Sequence, residues 1–195
     1  MRVLVACEFS GIVRDAFAAK GHDAWSCDLL PSETPGQHIQ GDIREYPLGT
    51  FGINAFDLMI AHPPCTYLAV SGARWFKDRR PEQEAALSFV RWLMTCTVPK
   101  IALENPVSII STRIRKPDQI IQPWMFGHPE SKTTCLWLKN LPKLVPTNVL
   151  SLPASGRWEN QTPSGQNKIG PSPDRWKIRS RTLQGIADAM ADQWG

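Results

Sequence analysis

Hydrophobic residues recur along this chain in short runs that alternate between two periods. Arg2 to Ala6 is a brief β-branched run, Ala24 to Cys27 is a second ending at Asp28, and Phe56 to Ala61 is a third, entered through Asp57 and stopped by Pro63-Pro64. Each predicts a buried strand. Between Gly11 and Lys20, Val13, Ala16 and Phe17 fall at helical spacing. Pro81-Glu82-Gln83-Glu84 reads as a helix start, with proline early and acids facing the positive end of the helix dipole. That helix is expected to run to about Cys96 with Leu87, Val90 and Met94 on one stripe. Ile101 to Leu103 predicts a strand ending at Glu104, and Thr134 to Leu138 predicts another. In the last helix Leu183, Ile186, Ala187, Met190, Ala191 and Trp194 share one face, a packing stripe. Strands alternating with helices predict an α/β fold with a doubly wound, mostly parallel sheet.

Composition narrows this picture. The chain has 195 residues, 42% hydrophobic and 21% charged, which suits one globular domain with a core of its own. Its 17 prolines and 13 glycines are more than a helical bundle tolerates. No apolar run is long enough to span a membrane, and the first residues lack the apolar stretch of a secretory leader, so a cytoplasmic protein is expected. Five cysteines, at 7, 27, 65, 96 and 135, form no Cys-x-x-Cys pair; neither a disulfide framework nor a metal site is expected. The net charge of +4 is unevenly placed: residues 139–181 carry +6 and the remainder −2. That basic, Pro- and Gly-rich segment contains Trp158 and Trp176 and lacks periodicity. Nucleic acid favours such a segment, and a solvated loop explains it equally well on charge alone.

Ligands of a doubly wound sheet bind at the carboxyl ends of its strands. The residues expected there are Glu8-Phe9-Ser10-Gly11, Asp28, His62-Pro63-Pro64-Cys65 and Glu104-Asn105-Pro106. Gly11 at a strand-to-helix turn would let a ligand approach the backbone, and Asp28 suits a ribose hydroxyl pair. With no Gly-x-Gly-x-x-Gly and no Walker lysine, a nucleoside cofactor fits better than a phosphate cradle. Single residues of this kind are more often loop punctuation. Cys65 is held by two prolines beside the basic stretch Arg74 to Arg80, which would favour its thiolate. Glu104 would act as a carboxylic acid of raised pKa, donating a proton. A thiol nucleophile beside a proton donor suits attack on an electron-poor ring. His62 leaves a cysteine hydrolase open, although an isolated cysteine is most often an inert buried one.

These residues together resemble the DNA (cytosine-5) methyltransferase family. Phe9-Ser10-Gly11-Ile12 resembles its Phe-x-Gly cofactor turn, with Val13 in place of a second glycine; Asp28 stands where an acid holds the cofactor ribose; and Gly41-Asp42-Ile43 resembles the segment whose aspartate receives the adenine amine. Asp57 to Thr66, with Pro63-Pro64-Cys65, is similar to the nucleophile motif, with Thr66 for the usual Gln. Ala102-Leu103-Glu104-Asn105-Pro106 is similar to the Glu-Asn-Val motif, with Pro106 for Val. Gly127-His128-Pro129-Glu130-Ser131-Lys132 resembles the later Gly-x-Pro-Gln-x-Arg segment.

The resemblance implies a Rossmann-like methyltransferase fold binding S-adenosylmethionine through Phe9, Ser10, Gly11, Asp28, Asp42 and Pro63. It implies that Cys65 adds to cytosine C6, that Glu104 assists at N3, and that Lys132 stands in for a supporting arginine. It also implies DNA as the partner, contacted by Arg74, Lys77, Arg79 and Arg80 in the place of a mobile catalytic loop, with Arg175, Arg179 and Arg181 in the basic segment. Arg113 and Arg115 form a further Arg-x-Arg, a phosphate contact or chance. The family's long target-recognition region is reduced here to residues 139–181 of a single domain. A small, phage-like member is therefore expected, with three alternatives: modification of a free nucleotide or nonstandard target by the same chemistry, an amino-group methyltransferase (disfavoured by His62 and Cys65 on either side of Pro-Pro), or a nucleic-acid-binding protein that keeps the fold without turnover.

Overall fold

A computed structural model describes residues 1–46, 55–165 and 167–195. Seven strands, β1 (Arg2–Ala6), β2 (Asp23–Asp28), β3 (His38–Gln40), β4 (Leu58–Ala61), β5 (Lys100–Pro106), β6 (Gln119–Ile121) and β7 (Thr134–Lys139), form one sheet in the order β3-β2-β1-β4-β5-β7-β6. The strands from β3 to β5 are parallel, and β7 runs antiparallel to both β5 and β6. Helix α1 (Ile12–Ala19) connects β1 to β2, and α2 (Arg80–Thr95) connects β4 to β5. The short helices α3 (Ile110–Arg113) and α4 (Arg175–Ser180) precede the final helix α5 (Gln184–Trp194).

The two-residue alternation of the strands divides the core into two layers. Val3, Val5, Leu58, Ile60, Ala102 and Leu136 pack with Val13 and Phe17 of α1 and with Ile186, Met190 and Trp194 of α5. Leu4, Ala6, Met59, Ala61, Ile101, Leu103 and Trp137 pack with Leu87, Val90 and Leu93 of α2. Each fully buried large aliphatic side chain contributes roughly 1.5–3 kcal/mol. On α2 the third core residue is Leu93, and Met94 lies at the edge of the cluster. Two buried indoles find an acceptor: Trp137 Nε1 donates to the Arg115 carbonyl at 2.8 Å, and Trp194 Nε1 to the Pro142 carbonyl at 2.9 Å.

The basic segment is fastened down rather than free. Three carboxamides each bond both backbone groups of one residue: Gln119 brackets Leu144 at 2.7 and 2.8 Å, Gln193 brackets Val145 at 2.7 and 2.9 Å, and Asn160 brackets Ser131 at 3.0 Å on each side. Trp158 is buried and stacks on Trp124, with ring centroids 6.4 Å apart. His128 accepts the Gly185 N–H at 2.8 Å, seating the start of α5, and a Cβ at Gly185 would lie 2.0 Å from the Phe126 carbonyl oxygen. The Gly127-His128 segment therefore anchors the last helix. Among the described residues, no helix is long and apolar enough to cross a membrane.

Strand β1 has β2 on one side and β4 on the other, so the chain changes direction across the sheet between β1 and β4. A crevice opens beyond the carboxyl ends of the strands at such a point.

Candidate active site

Register explains how the central groups meet. Ala61 of β4 lies opposite Leu103 of β5, so the next residues, His62 and Glu104, stand side by side. His62 Nδ1 and Glu104 Oε2 are 2.8 Å apart, with the two side chains 9% and 12% exposed. One step further, Asn105 Nδ2 donates to the Pro63 carbonyl at 2.9 Å. The turn after Cys65 is closed by its carbonyl, which accepts from Leu68 and Ala69 at 3.0 and 2.9 Å. Ile109 N–H to the Leu68 carbonyl and Val70 N–H to the Val107 carbonyl, at 3.0 and 3.1 Å, fasten this turn to the chain beyond β5. From α2, Gln83 donates to the Tyr67 carbonyl at 3.2 Å.

Glu104 differs from its sequence expectation. Burial pushes its carboxyl up, but the His62 hydrogen bond and the positive charges of Lys132 and His62 outweigh burial, and the net direction is down. A raised carboxylic acid is thus corrected to a carboxylate held ionised by its neighbours.

Cys65 is the exposed member of the five unpaired cysteines. The surrounding protein desolvates its thiol and pushes the pKa up, and Glu104 adds to the effect, while Arg179 and Lys132 pull it down. The cations that favour the thiolate therefore come from α4 and from the segment before β7, not from residues 74–80, and the resting thiol remains protonated. Lys132 also donates from Nζ to the Arg181 carbonyl at 2.9 Å.

The crevice beside this cluster is lined by Cys7, Glu8, Phe9, Ser10, His62, Ser180, Arg181 and Thr182. Glu8 is buried at the start of α1; its carboxylate accepts the Val13 and Arg14 N–H groups at 2.7 and 3.2 Å and the Ser10 hydroxyl at 3.2 Å. Burial pushes its pKa up, against the His62 charge and these hydrogen bonds. His62 Nε2 is buried without a hydrogen-bond partner. Cys7 has φ 59, a left-handed conformation that costs a non-glycine residue roughly 1–2 kcal/mol.

The other strand ends are filled by the chain itself. Gly11 has φ 77, and a Cβ there would lie 2.2 Å from Thr34 Oγ1 and 2.6 Å from an Arg14 guanidinium nitrogen. The expected room for a ligand at Gly11 is thus occupied by the loop between β2 and β3. Arg14, buried to 1% exposure, staples that loop through Ser26 and Ser32 hydroxyls, Thr34 Oγ1 and the Pro35 carbonyl at 2.7–3.2 Å. Its importance was not visible in the sequence, where it reads as one more exposed helix cation. Asp28, half-buried and pushed up by burial, accepts the Leu30 N–H at 2.9 Å. Asp42 is gripped by the Arg44 guanidinium, which holds its carboxyl below the usual range. Phe9 is buried with its ring 6.0 Å from that of Trp176 in α4, and Pro63 is buried behind the Cys65 turn.

The nine basic residues proposed for DNA fall into two groups. Arg74, Lys77, Arg79 and Arg80 are exposed, Arg74 over the Trp75 ring and Arg79 over that of Tyr67; Arg179 is exposed near Cys65; Arg175 is half-buried with its Nε enclosed and unpartnered. The other three are paired with carboxylates within the chain while keeping partly exposed side chains. Arg113 pairs with Glu84 at 2.5 Å, Arg115 with Asp118 at 2.7 Å and with the Leu138 carbonyl, and Arg181 grips Glu33 at 2.7 and 3.1 Å. Among the described residues, no group of three or more His, Cys, Asp or Glu is arranged to hold a metal ion.

No protein-family model matches the chain, and no curated protein matches its sequence.

Proposed function

We propose that this chain methylates carbon 5 of cytosine in DNA, with S-adenosylmethionine as the methyl donor, on a Rossmann-like methyltransferase fold. The observation that carries the reading is the gathering of Cys65, Glu104 and Lys132 within one another's electrostatic reach, beside the crevice between the β1 and β4 carboxyl ends.

The residues present fit the donor. Asp28, Asp42 and the Phe9–Gly11 turn succeed one another at the ends of β2, β3 and β1, and the crevice contains an unpartnered buried nitrogen, His62 Nε2. When bound, S-adenosylmethionine supplies an electrophilic methyl group. Phe9, Ser10, Gly11, Asp28, Asp42 and Pro63 would hold it; the Thr34 and Arg14 contacts at Gly11 and the Arg44 grip on Asp42 must open for those residues to serve.

The cytosine must leave its stack for the Cys65 sulfur to reach C6. Substrate binding has to bring about loss of the thiol proton, and Arg179 and Lys132 stabilise the resulting thiolate. Sulfur addition moves electron density toward N3 and C5. Glu104 holds N3 and governs its proton, and Asn105 fixes the Pro63 carbonyl so that the two motifs keep their spacing. The exposed cations of residues 74–80 and Arg179 of α4, with Trp75 and Trp176 each 53% exposed, supply the charge and stacking surface that a nucleic-acid strand needs.

The test is covalent capture. DNA carrying 5-fluorocytosine, incubated with the full chain and donor, is expected to form a denaturation-resistant complex with the wild type and none with Cys65→Ala. Absence of the wild-type complex would reject the mechanism, and DNA binding without capture would favour the non-catalytic alternative.

A further inference from the structure

His62 Nδ1 meets Glu104 at 2.8 Å, while Nε2 is buried without a partner in a ring whose side chain is 9% exposed. A carboxylate only accepts hydrogen bonds, so with Glu104 ionised the hydrogen between the two sits on Nδ1. Nε2 then belongs to the crevice, which His62 lines together with Glu8. The charged and titratable groups around the ring come from every neighbouring element: Glu8 and Cys7 after β1, Cys65 on its own segment, Glu104 from β5, Lys132 before β7 and Arg181 ahead of α5. The chain thus forms a row from one carboxylate through an imidazole to a second carboxylate, with the second beside the thiol.

The geometry points to His62 as the proton-holding partner of Glu104: its protonated ring supplies, through Glu104, the proton that the base takes up at N3. This rests on the cytosine reading above. As the Cys65 thiolate bonds to C6, the C5–C6 π pair shifts into the ring and N3 takes a proton from Glu104, while the Nδ1 proton of His62 passes to Glu104 and leaves the ring neutral. After C5 has gained the methyl group, the N3 proton returns by the same route. The C5 proton goes to solvent, the C5–C6 double bond re-forms and the thiolate departs. His62 acts through Glu104 and is a positioning residue.

The experiment follows methyl-labelled donor into duplex DNA between pH 5.5 and 9 for the wild type, His62→Gln and Glu104→Gln. Gln keeps an amide able to donate to Glu104 but cannot carry the proton. The wild type is expected to show a bell-shaped rate profile whose falling limb marks loss of the proton delivered to N3. His62→Gln should lower kcat about 100-fold with KM for DNA unchanged, and should lack the falling limb. Activity within about threefold of the wild type, or a falling limb that persists, overturns the proposal. Should melting curves show that His62→Gln does not fold, His62→Ala assayed with added imidazole replaces it; imidazole is expected to restore activity at least about tenfold, and no restoration overturns the proposal. A wild type that transfers no methyl group, or a Cys65→Ala variant that transfers as well, marks failure of the cytosine reading itself and takes this proposal with it.

Discussion

The ends of β4 and β5 and the ends of β1 to β3 lie on the same edge of one sheet, yet they are finished differently. At β4 and β5 the chain's hydrogen bonds hold the polar groups in place and leave room around them: Asn105 clamps Pro63, Glu104 meets His62, Cys65 is exposed, and His62 Nε2 is buried without a hydrogen-bond partner. At β1 to β3 the corresponding polar groups are satisfied within the chain. Thr34 and Arg14 fill the space at Gly11, Leu30 donates to Asp28, and Arg44 holds Asp42. On the proposed reading, the first region is preorganised for chemistry, and the second must exchange internal contacts for a ligand's. A site built this way discriminates through binding on one side and reacts without rearrangement on the other.

The largest way to break this contrast is Glu104→Gln, which should lower methyl transfer by about 100- to 10,000-fold with little change in DNA affinity. The same substitution tests the electrostatics. Because the folded pKa of Glu104 lies below its ordinary value of 4.5, its contribution to stability is present above that pH and lost as pH falls through the folded value. Melting curves of Glu104→Gln should therefore lack that part of the acid-induced loss.

Arg14→Leu attacks the other region. It removes a buried guanidinium from four side-chain and carbonyl acceptors and should cost about 3 kcal/mol in denaturant unfolding, with early proteolysis of residues 29–37. Donor KM should rise far more than kcat falls. Asn105→Ala should cost about 1–3 kcal/mol and lower kcat, since the Pro63 carbonyl loses its buried donor. Smallest is Arg44→Ala. The Asp42 pair is largely exposed on the arginine side and contributes less than about 1 kcal/mol to stability, while releasing Asp42 should tighten donor binding by up to about tenfold in calorimetry. Weaker donor binding would mean that the Arg44 contact serves the cofactor rather than competing with it.

Much of the frame was legible because buried parallel strands are written as apolar runs: Arg2 to Ala6 and Ile101 to Leu103 became strands, and so did Leu58–Ala61 of the run from Phe56. The three-residue edge strands β3 and β6 escaped notice because His38, Gln40 and Gln119 carry no apolar signature. Nor does a sequence state that β7 enters the sheet backwards. At the site, residue types marked Cys65 and Glu104, but partners did not. The contact of His62 with Glu104 follows from the register of two strands, and Arg181 meets Glu33 across 148 positions. Charge in a sequence is a count, and only the fold decides whether an arginine faces a phosphate or a carboxylate. For the same reason the direction of the Glu104 shift reversed: burial was foreseeable, and the imidazole bonded to it was not.

The central claim is that this chain methylates cytosine in DNA through Cys65. Its most direct measurement is mass spectrometry of nucleosides from the DNA of cells expressing either the wild type or Cys65→Ala. The account predicts 5-methylcytosine with the wild type and none above background with the variant. Equal levels in both, or modified free nucleotide with unmodified DNA, would contradict it.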